Sequence, residues 1–260
     1  MICAIIQARM SSSRLPGKVL LEVNGRPLLS YMLERVSAAK SIHKVILATS
    51  IDQADDAVAA FCENEDILCY RGSLDDVLDR YYQAALMVGC ETVVRLTGDC
   101  PLIDPEVIDT VVQRHCSGGY DYTANTSPPE GITFPEGMDV EVFSFQALKR
   151  AWNEAKKPSD REHVTFYIVN NPRLFSVFRY DREEDFSRYR LTVDYPEDFG
   201  VVKDILTKIY SKNPKFSMKD IIAFLDAHQD IRRKNADILS FQGWQSAFEK
   251  DKQAGYVIEK

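Results

Sequence analysis

MICAIIQARMSSSRLPGK, residues 1–18, is the stretch whose reading decides the fold. Cys3, Ala4, Ile5 and Ile6 form an apolar run too short for a stable helix, and a polar segment from Gln7 to Arg14 follows at once. Such a run reads as a buried strand ending in a loop, at the C-terminal edge where open α/β sheets bind ligands. Residues 7–18 hold three cations (Arg9, Arg14, Lys18), three hydroxyls (Ser11, Ser12, Ser13), a Pro16-Gly17 turn and no acidic residue. Fixed positive charge, hydroxyl donors and backbone N–H groups together suit a polyanion such as a triphosphate. The same composition also describes a solvated basic loop, so the decision rests on partners elsewhere in the chain. It is not a Walker loop, because Val19 follows Gly17-Lys18 and no glycine stands five residues before Gly17; no G-x-G-x-x-G occurs anywhere.

Outward from this loop, apolar residues at helical spacing mark 27–39, with Pro27 suited to the first helical position. Residues 44–50 (KVILATS) read as a second buried strand, 52–64 as a helix and 67–70 as a short strand. Ser73 with Asp76 three residues on resembles a helix start, and the apolar face running from Leu74 to Leu86 ends at Gly89. The next strand, 92–96, leads into Thr97-Gly98-Asp99-Cys100-Pro101, and Asp104-Pro105 opens a helix to about His115. Strands alternating with helices imply parallel pairing with right-handed crossovers, so the expected fold class is α/β, a doubly wound, mostly parallel sheet.

Past Gly118 the rhythm changes. Residues 120–124 and 138–143 are strand-like, separated by a polar Pro/Gly-containing loop, 125–137, long enough to be functional. Ser144 starts a helix to about Lys156, and Ser159-Asp160-Arg161-Glu162 reads as a capping box ahead of a helix at 163–170. Strands follow at 175–180 and 188–193, then an amphipathic helix from Pro196 to Ile209. From Phe216 the tail reads as two or three short helices, with Ser217 and Asp220 as another capping box.

The totals bound the class. A chain of 260 residues with 45% hydrophobic content can build one large α/β domain with a small appendage. A net charge of −7 disfavours nucleic-acid coating and makes the basic loop a local exception. Six cysteines show no C-x-x-C pair and no histidine at zinc-finger spacing. With no signal peptide and no long apolar run, the expectation is a soluble cytoplasmic protein with no membrane partner.

Two acidic residues complete the case. Asp99 follows a strand on a Gly98 turn, and Asp194 ends the segment Arg190-Leu191-Thr192-Val193. Two carboxylates on separate strand ends above an anion-binding loop suit a Mg²⁺–nucleotide complex. Either aspartate alone could equally be a helix cap or turn former.

These residues carry a resemblance. Ala8-Arg9, Ser12 and Arg14-Leu15-Pro16-Gly17-Lys18 resemble the nucleotide-binding loop of the cytidylyltransferases that make CMP-Kdo and CMP-sialic acids. The likeness is strongest to the branch called spore coat polysaccharide biosynthesis protein F, whose loop reads Q-A-R-x-x-S-x-R-L-P-G-K. Gly98-Asp99-Cys100-Pro101-Leu102-Ile103 resembles the family's G-D-x-P-L-I metal motif, and Leu191-Thr192-Val193-Asp194-Tyr195-Pro196-Glu197-Asp198 its L-T-V-D-T-P-E-D. Arg71-Gly72-Ser73 with the segment from Asp75 to Tyr81, the run from Thr133 to Phe143, and Arg161-Glu162-His163-Val164-Thr165 are similar to further segments of that branch. The likeness covers roughly residues 1–210. Cys100 and Thr97 stand where Kdo-type enzymes have Glu and Gln, which touches sugar identity more than reaction type.

The resemblance implies a Rossmann-like sheet of the nucleotide-diphospho-sugar transferase type. A nucleotidyltransferase domain would span 1–210, with a nucleotide-binding half (1–118), a sugar-binding and dimerisation half (119–210) and a helical C-terminal appendage (211–260). It also implies transfer of CMP from CTP to a Kdo-like or nonulosonic sugar acid, with pyrophosphate leaving, Mg²⁺ as cofactor and a homodimer. Asp99 and Asp194 would hold Mg²⁺. Arg9, Arg14 and Lys18 would contact the leaving phosphates, Arg71 and Ser73 the ribose or base, and Ala8, Ser12, Gly17 and Thr97 the rest of the nucleotide. Tyr122, Asn125, Glu136, Asp139, Glu141 and His163 would face the acceptor, with Asp139 and Glu141 on one face of a strand. A glycosyltransferase of similar architecture is the competing class, although no D-x-D triplet occurs; another nucleoside triphosphate, or a non-enzymatic nucleotide-binding subunit, are the others.

Overall fold

In the computed structural model, which describes residues 1–239 and 251–256, the first apolar run is strand β1 (Ile2–Gln7), an interior strand of a seven-stranded sheet. The tail residues outside that description, 240–250 and 257–260, belong to the expected helical appendage. Two short strands, β2 (Glu22–Val23) and β3 (Arg26–Pro27), form a small hairpin before helix α1 (Leu28–Ser37). Pro27 therefore closes the hairpin in an extended conformation, one residue outside the helix rather than in its first turn. Then come β4 (Lys44–Ser50), α2 (Asp56–Asn64), β5 (Leu68–Gly72), α3 (Val77–Met87), β6 (Thr92–Thr97) and α4 (Pro105–Gly118). The order β5-β4-β1-β6 is parallel throughout, as the alternation of elements required.

The second half adds β7 (Tyr122–Ala124), β8 (Glu141–Ser144), helices α5 (Phe145–Glu154), α6 (Pro158–Glu162) and α7 (Phe166–Val169), and β9 (Val177–Arg179). Strand β8 runs antiparallel to both β6 and β7, and β9 pairs parallel with β7 at the sheet's end. Helices α8 (Pro196–Ile205), α9 (Met218–Ala227) and α10 (Gln229–Arg232) follow.

Alternation along β1 shows why helices cover both faces. Ala4 and Ile6 join one core with residues of α1, α4, α8 and α9, whereas Cys3 and Ile5 join another with residues of α3 and α5. All four are fully buried, as expected for a central parallel strand. Phe216, Met218, Ile221 and Leu225 pack into the first of these cores, with Val201, Val202 and Ile205 of α8.

Four local expectations are corrected. The helix after β5 starts at Val77 with Asp76, not Ser73, as its cap: Asp76 accepts from Asp79 N at 2.9 Å. Residues 159–162 lie inside α6 instead of capping a later helix, because Ser159 N donates to Asp251 at 2.9 Å. Strand β8 begins only at Glu141, so Asp139 precedes it. Residues 188–193 form no strand; Arg190 makes one isolated bridge with Glu136, Leu191 N donates to Glu136 O and Val193 N to Asp99 O. Two loops rather than a neighbouring strand take the hydrogen bonds of that segment.

Candidate active site

Asp99 reaches the site because β6 ends hard against β1. Gly98 N donates to Gln7 O at 2.8 Å, and a Cβ on Gly98 would sit 3.0 Å from both that oxygen and Ala8 Cβ. The 8–18 loop folds back over the same edge: Gly17, in the left-handed region at φ 71°, donates its N–H to Met10 O at 2.9 Å. Lys18 is thereby carried inward to 9% exposure.

Its ammonium joins the two aspartates, with Nζ 2.7 Å from Asp99 Oδ2 and 2.8 Å from Asp194 Oδ1. Arg14 Nη2 lies 2.6 Å from the same Asp194 oxygen, and Arg190 Nη2 is 3.2 Å from the other. Arg190 also pairs with Glu136 and with the fully buried Asp198, whose carboxylate accepts from Asp194 N and Tyr195 N at 3.0 Å each. Asp194 thus sits at a helix entry fixed by α8, not at a strand end.

The electrostatics follow from these contacts. Burial opposes the charge on Lys18, but Asp99 and Asp194 outweigh it and lift its pKa above the usual lysine value. Burial also works against the Asp194 carboxylate, yet Lys18 and Arg14 hold its pKa at about 2. Cys100 is buried beside Asp99 and Asp139, which pushes its thiol well up; its sulfur lies 3.2 Å from Thr97 Oγ1 and 3.9 Å from Thr192 Oγ1. It is a neutral spacer beside Asp99.

Two cavities, of about 280 and 260 Å³, meet at this cluster and share Gln7, Arg14, Arg95, Thr97, Asp99, His163 and Asp194 in their walls. The larger is walled by the basic loop, including Ala8, Arg9, Ser12, Arg14 and Lys18. The smaller is walled by Glu136, Asp139, Glu141 and Thr126, among others. Glu141 is held by Arg95, by Tyr122 Oη at 2.5 Å and by Thr165 Oγ1 at 2.6 Å. Burial raises the Asp139 pKa, against the opposing pull of the Gly137 N–H and Thr126.

The structure does not bring every expected residue to these walls. Arg71 turns away, bonding Ser50 O at 2.9 Å and Asp56 at 2.7 Å, and Ser73 lines neither cavity. Tyr122 and Asn125 are fully buried behind the smaller cavity: Tyr122 supports Glu141, and Asn125 joins Met138 O to Val140 N. Conversely Gln7, Arg80, Arg95, Thr165 and Arg190 line the site without having been singled out. Arg95 had a visible signal, a charge inside an otherwise apolar strand.

Chemically, one side of the cluster offers cations and hydroxyls to a polyanion, and the other offers acceptors to a polyhydroxylated molecule. Asp99 and Asp194 face one another across a single nitrogen and could both turn onto a divalent cation. Among the described residues no group of three or more His, Cys, Asp or Glu is placed to hold a metal. An ion here would need phosphate oxygens and water to complete its shell, which is the habit of Mg²⁺. No described helix is long and apolar enough to cross a membrane.

A sequence profile described as Cytidylyltransferase matches residues 3–235. The chain is 35% identical to the spore coat polysaccharide biosynthesis protein SpsF of Bacillus subtilis, covering 88% of this chain and 95% of that protein. It is 33% identical to the 8-amino-3,8-dideoxy-manno-octulosonate cytidylyltransferase of Shewanella amazonensis, over 89% of this chain and 96% of that one. Among solved structures, a cytidylyltransferase from Leptospira borgpetersenii superposes with a TM-score of 0.82 at 34% identity, covering 89% of this chain and 96% of that chain.

Proposed function

Because this chain belongs to the cytidylyltransferase family, we propose that it transfers CMP from CTP to a hydroxyl of a Kdo-like or nonulosonic sugar acid, releasing pyrophosphate. The product would feed surface polysaccharide synthesis, and the reaction would run in the cytoplasm. One observation carries the reading: Lys18 holds Asp99 and Asp194 together where the cationic and acceptor cavities join.

The acceptor oxygen forms a bond to the α-phosphorus as the bond to the β-phosphate oxygen breaks. The protein's work in such a transfer is positioning and charge stabilisation. Arg9, Arg14 and Lys18 bind and neutralise the departing pyrophosphate; Asp99 and Asp194 would hold Mg²⁺. When bound, that ion withdraws charge from the phosphates and links nucleotide to protein. Glu136, Asp139, Glu141 and His163 orient the acceptor. A homodimer through residues 120–180, where β9 ends the sheet, is part of the proposal, and a monomer at equilibrium sedimentation would remove it.

The test is to supply each of the four common nucleoside triphosphates with Mg²⁺ and a panel of Kdo-like and nonulosonic acids. Pyrophosphate should appear with CTP and one acceptor class. Release of a nucleoside diphosphate from an activated sugar instead would favour the glycosyltransferase class.

A further inference from the structure

Arg80, on α3, heads the fully buried side chains, at 2% exposure, and it lines the cationic cavity. Its Nε and Nη1 have no hydrogen-bond partner, and among the described residues it makes no ion pair. Two carboxylates are near enough for their charge to reach it, Asp55 and Asp76, and both are engaged. Asp55 accepts from Met10 N at 2.6 Å and from Ser50 N at 3.1 Å. Asp76 takes Arg161 through Nε at 3.0 Å and Nη2 at 2.6 Å while capping α3. Arg9 is near enough to repel it. A guanidinium withdrawn from water and denied a carboxylate is costly unless an acceptor arrives from outside.

The seat is also built. Tyr81, the next residue, pins α3 to the sheet by donating to Ile5 O and Leu96 O at 3.1 Å each. The arginine stem crosses Gly72 so closely that a Cβ there would stand 2.8 Å from Arg80 Cγ. Glycine at the end of β5 is what leaves room for it.

We propose that Arg80 is a nucleotide-binding residue that donates, from the wall of the cationic cavity, to an oxygen of the bound nucleotide. This rests on the cytidylyltransferase reading and fills the place that Arg71 and Ser73, turned elsewhere, leave open. The acceptor is either a phosphate oxygen or the carbonyl of the pyrimidine.

The test measures calorimetric affinity of the full-length chain for CTP, UTP and inorganic tripolyphosphate, in the wild type and in Arg80→Met, Arg80→Lys and Gly72→Ala. Arg80→Met should weaken CTP about ten- to a hundredfold, Arg80→Lys less, and Gly72→Ala should weaken it by displacing the stem. A matching loss for tripolyphosphate assigns the contact to phosphate. An unchanged tripolyphosphate affinity with CTP and UTP weakened alike assigns it to the pyrimidine carbonyl that the two bases share. Arg80→Met binding CTP within twofold of wild type overturns the proposal; if that variant does not fold, wild-type affinity in both Arg80→Lys and Gly72→Ala does so. Wild type that binds no CTP would sink the parent reading instead, and tripolyphosphate bound equally by wild type and variants would then dispose of Arg80 as well.

Discussion

Lys18 does at the residue level what no single carboxylate could: one buried ammonium holds two aspartates that are far apart in the chain at one point. The pH dependence of stability follows. The Asp194 pKa, about 2 against an ordinary 3.8, means that its contribution is complete above about pH 4 and is lost as pH falls through 2. Lys18, raised above its ordinary value, acts the other way and gives up its share only at strongly alkaline pH. Urea unfolding from pH 5 to pH 2 should show wild type losing roughly 2 kcal/mol more than Asp194→Asn; parallel curves would refute the pairing. The 8–18 loop and both aspartates were legible because charge, turn residues and strand ends are local signals. Arg80 was not, because it falls three residues after Val77 on the buried side of α3, where a charge is ordinarily read as facing water.

At the scale of elements, the 188–194 segment is tied in by one side chain rather than by membership of the sheet. Arg190 joins the 125–137 loop through Glu136, α8 through Asp198, and the site through Asp194. Arg190→Met leaves Asp198 buried without its cation, at a cost of about 3 kcal/mol. Because Glu136 is released too, KM for the acceptor should rise more than KM for CTP. An unchanged melting midpoint would show that Arg190 is not the tie. This is also where the sequence misled. Tyr189, Leu191 and Val193 alternate with polar residues and are almost fully buried, the pattern of a half-buried strand, yet alternation reports burial and not who takes the backbone hydrogen bonds. By contrast β1, β4 and β6 were readable because short apolar runs between helices leave a parallel sheet few alternatives.

For the molecule as a whole, the tail contributes core. Phe216, Met218, Ile221 and Leu225 are buried in the same core as Val201, Val202 and Ile205, all at 2% exposure or less. Ending the chain at residue 210 should open that core and abolish the cooperative thermal transition; a truncated protein melting like the full chain would make the tail an independent appendage. The packing of a tail onto a distant core is long-range, and helical periodicity shows an apolar face but not the surface that covers it. The central claim is that Asp99, Asp194 and the basic loop form one transfer centre. Its most direct measurement is pyrophosphate release from CTP, with Mg²⁺ and a productive sugar acid, by wild type and by Asp99→Asn. Release by wild type that the substitution abolishes is the predicted result, and near-normal release by Asp99→Asn would contradict it.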